Sequence, residues 1–203
     1  MTPDTAKGGE PQPRPFRSFV AMAVGAVALL ALAGGLLLRT PAGSNVSLVG
    51  GPFALQDGAG RTITSDSLRG RPFLVYFGYT HCPDVCPTEL AHIADVLTKM
   101  GNKAIPALFI TVDPERDTPK VMQDYSSSFG PGIVGLSGGP QAVGAAMRAF
   151  RVFARKGPIQ SDGGYAMDHS SIVYLMDKTG RFVEALKVER APEDVAAELA
   201  SYL

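Results

Sequence analysis

The sequence predicts an α/β domain exported behind one membrane-spanning helix, on three observations. Residues 18–38 form an uncharged apolar run of about 21 residues, long enough to cross a bilayer core as a helix. Beyond it, short strand-type runs alternate with segments of helical spacing, the pattern of a sheet flanked by helices. The only two cysteines, Cys82 and Cys86, fall where a buried-strand pattern hands over to a helix. A cysteine pair there suggests the thioredoxin-like class, here with extra β-hairpins.

Charge orients the apolar run. Lys7, Arg14 and Arg17 precede it, Arg39 follows it closely, and the next basic residue is Arg61. That asymmetry puts residues 1–17 in the cytoplasm and everything after the run on the far side. A cleaved signal peptide is the competing reading, with Ala31-Leu32-Ala33 as its cleavage signal. The run continues past that point and is long for a signal core, which favours the anchor. No cysteine follows it closely, which excludes a lipid-anchored lipoprotein. Residues 1–17 are polar and rich in Pro and Gly and read as a disordered tail. Their Asp4 and Glu10 argue against a mitochondrial transit peptide, which is poor in acids. The expectation is a single-pass bacterial inner-membrane protein: tail 1–17, anchor 18–38, linker 39–50 and a periplasmic domain over 51–203.

Formal net charge is zero, with 45% hydrophobic and 19% charged residues. Without the four basic and two acidic residues of 1–45, the exported part carries −2. No basic stripe is visible, so nucleic acid is not an expected partner.

Within the domain, residues 52–64 read as a hairpin across Asp57-Gly58, and Ser65 opens one helical turn ending at Gly70. Residues 72–78 are a buried strand. The helix after the cysteines places Leu90, Ile93, Leu97 and Met100 on one face and stops at Gly101. Residues 106–112 are a second apolar strand. Asp117-Thr118-Pro119 opens a helix with a capping residue and a first-turn proline. A short strand (133–136), a helix (141–150), an edge strand (151–155) and a polar Gly-rich loop (156–168) follow. Residues 171–176 and 181–185 pair as a hairpin, and a helix over 192–203 closes the chain.

The chemistry centres on the cysteines. On a helical turn, residues four apart face the same way with Cβ atoms ~5–6 Å apart. Both sulfurs then reach one metal ion, or each other in a disulfide after a modest adjustment. A helix turn starting around Pro83, with Pro87 distorting or restarting it, is expected, and a helix N-terminus lowers thiol pKa. Redox enzymes of the thioredoxin class carry two residues between their cysteines; here there are three, which enlarges the loop and better suits a metal. Soft thiolates match reduced copper. Two thiolates leave the ion under-coordinated, so a third ligand is wanted.

Three histidines are available. His81 adjoins Cys82 and its side chain starts out pointing elsewhere; it reads first as a neighbour of the thiols. His92 is six residues after Cys86, off the cysteine face, and reads as a plain surface or packing histidine. His169 stands in a polar loop leading into a buried strand, a common place for site residues. Asp168 beside it either orients the imidazole or is a solvated loop carboxylate. Asp84, between the cysteines, is the other carboxylate close to the site.

Three stretches carry a resemblance: Gly78-Tyr79-Thr80-His81-Cys82-Pro83-Asp84-Val85-Cys86-Pro87, Thr111-Val112-Asp113-Pro114-Glu115-Arg116-Asp117-Thr118-Pro119, and Asp168-His169-Ser170. In this order they resemble the Sco/SenC family of copper proteins, over nearly the whole exported domain. The resemblance implies a thioredoxin-like fold with an extra hairpin, and copper, Cu(I) or Cu(II), held by Cys82, Cys86 and His169. It implies delivery of copper to the CuA centre of cytochrome c oxidase subunit II, or reduction of that centre's cysteines, with a periplasmic copper donor and a thiol reductant as further partners. The Asp113–Pro119 stretch reads as strand-end and helix-cap residues, with a partner surface as the alternative; Tyr79 and Phe153 are core or rim.

The expected class is therefore a metallochaperone, not an enzyme. The alternative is a thiol-disulfide oxidoreductase or redox sensor, in which Cys82 and Cys86 cycle as a redox-active pair and His169 is incidental. A peroxidase reading is weaker, because Asp84 between the thiols opposes thiolate formation.

Overall fold

The computed structural model describes residues 48–203. The expected tail at 1–17, the anchor at 18–38 and all but the end of the linker lie outside the described residues. Among the described residues no helix is long and apolar enough to cross a membrane.

The fold is built on a five-stranded mixed sheet. Its strands are β3 (Phe73–Gly78), β4 (Ala107–Thr111), β5 (Ile133–Leu136), β8 (Val173–Met176) and β9 (Phe182–Leu186), in the order β5-β4-β3-β8-β9. β3, β4 and β5 run parallel, and β8 and β9 are antiparallel to their neighbours. Every residue of β3 and of β4 is buried, as expected of strands covered on both faces. That explains their unbroken apolar runs. Tyr76 stacks on Phe109 across them, with ring centroids 5.8 Å apart.

Among the described residues four α-helices complete the core: α1 (Val85–Met100), α2 (Pro119–Ser127), α3 (Pro140–Ala149) and α4 (Pro192–Ala200). α1 buries Cys86, Leu90, Ile93, Leu97 and Met100, a stripe at spacings of three and four, and packs on α4. α2 is capped by Thr118, whose hydroxyl accepts the Val121 N–H at 3.3 Å, and it lies tight on β5. A Cβ at Gly135 would stand 2.2 Å from the Met122 carbonyl oxygen, so only glycine permits that approach.

Two further hairpins flank the sheet. β1 (Ala54–Gln56) pairs with β2 (Thr62–Thr64) as expected. The turn is held by Asp57, whose carboxylate accepts the Ala59 and Arg61 N–H groups. The β8–β9 turn repeats the device, with Asp177 accepting from Thr179 and Arg181. The second hairpin corrects the sequence reading. β6 spans Ala154–Lys156 rather than 151–155, and Met167–His169, expected to lie between loop and strand, is itself a strand, β7, paired with it. β6 starts late because Arg151 turns the chain through a left-handed conformation (φ 57°) at the end of α3. β7 has no apolar alternation of its own; cross-strand pairing makes it a strand.

The start of α1 also departs from expectation. The helix is continuous from Val85 with Asp84 at its N-cap, so Pro83 lies outside it and Pro87 sits in its first turn. A first-turn N–H has no intrahelical partner, so proline costs nothing there and no restart is needed.

Candidate metal centre

β3, α1 and β7 converge on one point. β3 ends at Gly78, and the chain turns through Tyr79, Thr80 and His81 to Cys82, whose N–H bonds the Tyr79 carbonyl at 3.3 Å. The turn is fixed from below by Asp117. Its fully buried carboxylate accepts the Thr80 hydroxyl (2.6 Å), the Thr80 N–H (3.1 Å) and the Thr111 hydroxyl (2.8 Å). Cys82 is therefore placed just ahead of the helix, half-buried, and its sulfur accepts the Cys86 N–H at 3.3 Å. The sulfur occupies the position of a helix-capping side chain.

Cys86, in the first turn of α1, is fully buried. Burial pushes its thiol up to about 12, opposed only in part by the Tyr79 N–H and the Tyr76 hydroxyl. This corrects the expectation of a lowered pKa: the helix N-terminus acts locally, and desolvation against the sheet outweighs it. Backbone shape makes the burial possible. A Cβ on Gly78 would meet Cys86 Sγ and Phe109 Cε2, both at 2.8 Å.

β7 brings the third group. His169 Nε2 lies 3.5 Å from Cys86 Sγ. The other nitrogen, Nδ1, is 3.0 Å from the Ser170 carbonyl oxygen. A carbonyl only accepts, so Nδ1 carries a proton, and in the neutral imidazole Nε2 presents its lone pair to the sulfurs. Tyr79 meets the imidazole edge to face, centroids 5.7 Å apart at 90°. The ligand atoms of Cys82, Cys86 and His169 all lie within 4.8 Å of one another, and among the described residues no other such group of three occurs. Two sulfurs and a neutral imidazole nitrogen, two of the three partly accessible, form a donor set for a soft or borderline metal ion. The two cysteines are free thiols.

The remaining sequence candidates lie apart from this cluster. Asp168 points its carboxylate to Arg155, with an N–O distance of 2.8 Å, and both are exposed; it takes the role of a solvated carboxylate, and the Ser170 carbonyl orients the imidazole instead. Asp84 is exposed and makes no side-chain cap; its carbonyl accepts from Thr88. His81 is exposed and bonded to the Thr80 hydroxyl. His92 sits further along α1, partly buried, outside the cluster. Tyr79 is buried beside the site, whereas Phe153 is exposed next to Ser170, with which it exchanges hydrogen bonds. Sequence reasoning missed Ser170, Arg116 and Tyr165. A main-chain carbonyl leaves no trace in side-chain patterns. An arginine between two aspartates and a lone aromatic in a Gly-rich loop were the available signals for the other two.

Comparison with known proteins agrees with this geometry. The SCO1/SenC family model matches residues 41–203. A SCO2-like protein of Rickettsia prowazekii is 39% identical over 150 residues, covering 72% of this chain and 73% of the relative. The human mitochondrial SCO1 homolog is 37% identical over 160 residues; the match covers 77% of this chain and 53% of that protein, about half its length. Among solved structures, Bradyrhizobium japonicum ScoI with copper bound is 51% identical, with TM-score 0.73, covering 76% of this chain and 99% of that one. With the thioredoxin-like sheet, the cysteine pair at the start of α1 and the match over 41–203, the chain belongs to the SCO1/SenC family.

Proposed function

We propose that this chain is a copper carrier that holds Cu(I) or Cu(II) as cargo through Cys82, Cys86 and His169. It passes the ion to the CuA centre of cytochrome c oxidase subunit II. The observation that carries the reading is the convergence of two sulfurs and the Nε2 lone pair within 4.8 Å. The copper-bound Bradyrhizobium relative supports the choice of metal. Both cysteines must shed their protons to bind, so loading releases protons. Cys82, half-buried at the helix start, is the natural point of exchange with donor and client, while buried Cys86 and the partly accessible His169 complete the site. Residues 18–38 serve as an uncleaved anchor that keeps the domain at the periplasmic face of a bacterial inner membrane, near such a client.

A second reading follows from the two free thiols at one helix start. The dithiol reduces the client's cysteines before metal loading: two electrons and two protons pass to the client disulfide, leaving a Cys82–Cys86 disulfide for a periplasmic thiol reductant to reopen. Titration of the domain with Cu(I) and Cu(II) separates the two. The carrier reading expects His169→Ala to weaken Cu(II) binding and remove the sulfur-to-copper charge-transfer absorption while disulfide formation persists. Wild-type copper affinity in that variant would refute the three-ligand site.

A further inference from the structure

Arg116 stands between two supports of His169. Its Nε donates to Asp113 Oδ2 at 2.5 Å, and that carboxylate is buried. Its Nη1 donates to the Tyr165 carbonyl at 3.0 Å, and its guanidinium carbon lies 3.6 Å from the centre of the Tyr165 ring. The Tyr165 hydroxyl donates back to Asp113 Oδ1 at 2.9 Å. Asp113, Arg116 and Tyr165 thus close a ring of contacts that ties the 111–119 segment to the residues just before β7. On its other side the guanidinium carbon is 5.8 Å from the centre of the Tyr79 ring, the ring that meets the His169 imidazole edge to face.

The arrangement suits arginine alone among side chains. Lysine lacks the planar fork that bonds a carboxylate and a carbonyl while lying on a ring. The side chain is 20% exposed, and Nη2 is buried without a hydrogen-bond partner among the described residues. Lys156 reinforces the same contact, with Nζ 3.9 Å from the centre of the Tyr165 ring and a 2.6 Å ion pair to Glu115.

We propose that Arg116 is a positioning residue for His169: it holds β7 and the Tyr79 ring together so that Nε2 stays aimed at the two sulfurs. It touches neither cysteine. The inference rests on the copper reading for its consequence, and on geometry alone for its structural part. Groups that orient a metal-bound histidine typically carry about 10–100-fold in metal affinity. Cu(I) draws more of its binding from the two soft thiolates, whereas Cu(II) depends more on the imidazole.

The test is Arg116→Gln, with Tyr165→Leu as the second variant should the first fail to fold. In metal-free protein, NMR should show the imidazole protons of His169 losing the ring-current shift imposed by Tyr79. The Gly157 and Ser170 amides, bonded across the β6–β7 hairpin, should exchange faster. With Cu(II), affinity should fall about tenfold or more, with a smaller change for Cu(I). In the His169→Ala background the same substitution should cost nothing further, because its effect passes through the imidazole. Unchanged His169 shifts and unchanged hairpin exchange would overturn the proposal, as would an equal loss of affinity in the His169→Ala background. If His169→Ala itself leaves Cu(II) affinity intact, the copper reading fails, and the metal-free measurements still decide the role of Arg116.

Discussion

The Nε2 of His169 lies 3.5 Å from the Sγ of Cys86, although 83 residues of chain separate them. The sulfur is buried, which holds its proton on, and in the neutral imidazole Nε2 is an acceptor because Nδ1 donates its N–H to the Ser170 carbonyl. In the metal-free protein the thiol therefore donates to the imidazole.

That tautomer is directly observable. Nitrogen NMR of the metal-free domain, recorded where the imidazole is neutral, should find the His169 proton on Nδ1. A proton on Nε2 would contradict the Ser170 contact and the aim of the lone pair.

The two thiols should differ sharply in reactivity. At pH 7, Cys86→Ser, which keeps half-buried Cys82, should be alkylated at least about tenfold faster than Cys82→Ser. Alkylation of Cys86 should accelerate as pH rises toward about 12. The sign for stability follows: a raised thiol pKa supports the fold below its unfolded value and loses that support as pH climbs through about 12. Equal rates at neutral pH would count against the burial of Cys86.

Gly78→Ala tests the packing under the site. The added methyl would collide with Cys86 Sγ and the Phe109 ring, each 2.8 Å away. Overpacking of this kind costs about 1–3 kcal/mol in denaturant unfolding. Because one collision is with a sulfur of the proposed copper site, copper affinity should fall as well. A variant with native stability and affinity would show that the strand end yields easily.

Asp177 should set part of the acid stability. Burial would raise its carboxyl, but bonds from Thr179 and Arg181 outweigh that and hold it down at about 2. The stabilisation is present above the ordinary value of 3.8 and is lost as pH falls through about 2. Asp177→Asn should cost about 1–2 kcal/mol at pH 7, discounted for partial exposure, and close to nothing near pH 2. A pH-independent difference would mean that the turn is held by its neutral contacts.

The legible parts of the chain were those whose signal is local. β3 and β4 read from unbroken apolar runs, α1 from Leu90, Ile93, Leu97 and Met100, and the β1–β2 hairpin from its Asp-Gly turn. The cysteine spacing and the polar stretch around His169 were likewise visible. β7 was not, because Met167-Asp168-His169 becomes a strand only through its partner 154–156. The direction of the Cys86 shift was missed because the helix-end effect is written in neighbouring residues, whereas burial depends on Gly78 and Phe109 arriving from the sheet. Asp168 drew attention as the carboxylate beside His169. Strand alternation turns adjacent side chains to opposite faces, which sends it to Arg155 and leaves the imidazole to a main-chain carbonyl.

The sulfur of Cys82 accepts the Cys86 N–H at 3.3 Å, so the first turn of α1 is wired to the more accessible of the two thiols. Whatever changes the charge on that sulfur changes the bond from the amide, whether its proton is lost to a metal ion, a disulfide partner or an alkyl group. The Cys86 N–H is thus a built-in gauge of the state of Cys82. Its proton resonance should tell free thiol, loaded site and mixed disulfide apart in a single spectrum, without a label at the reactive atom.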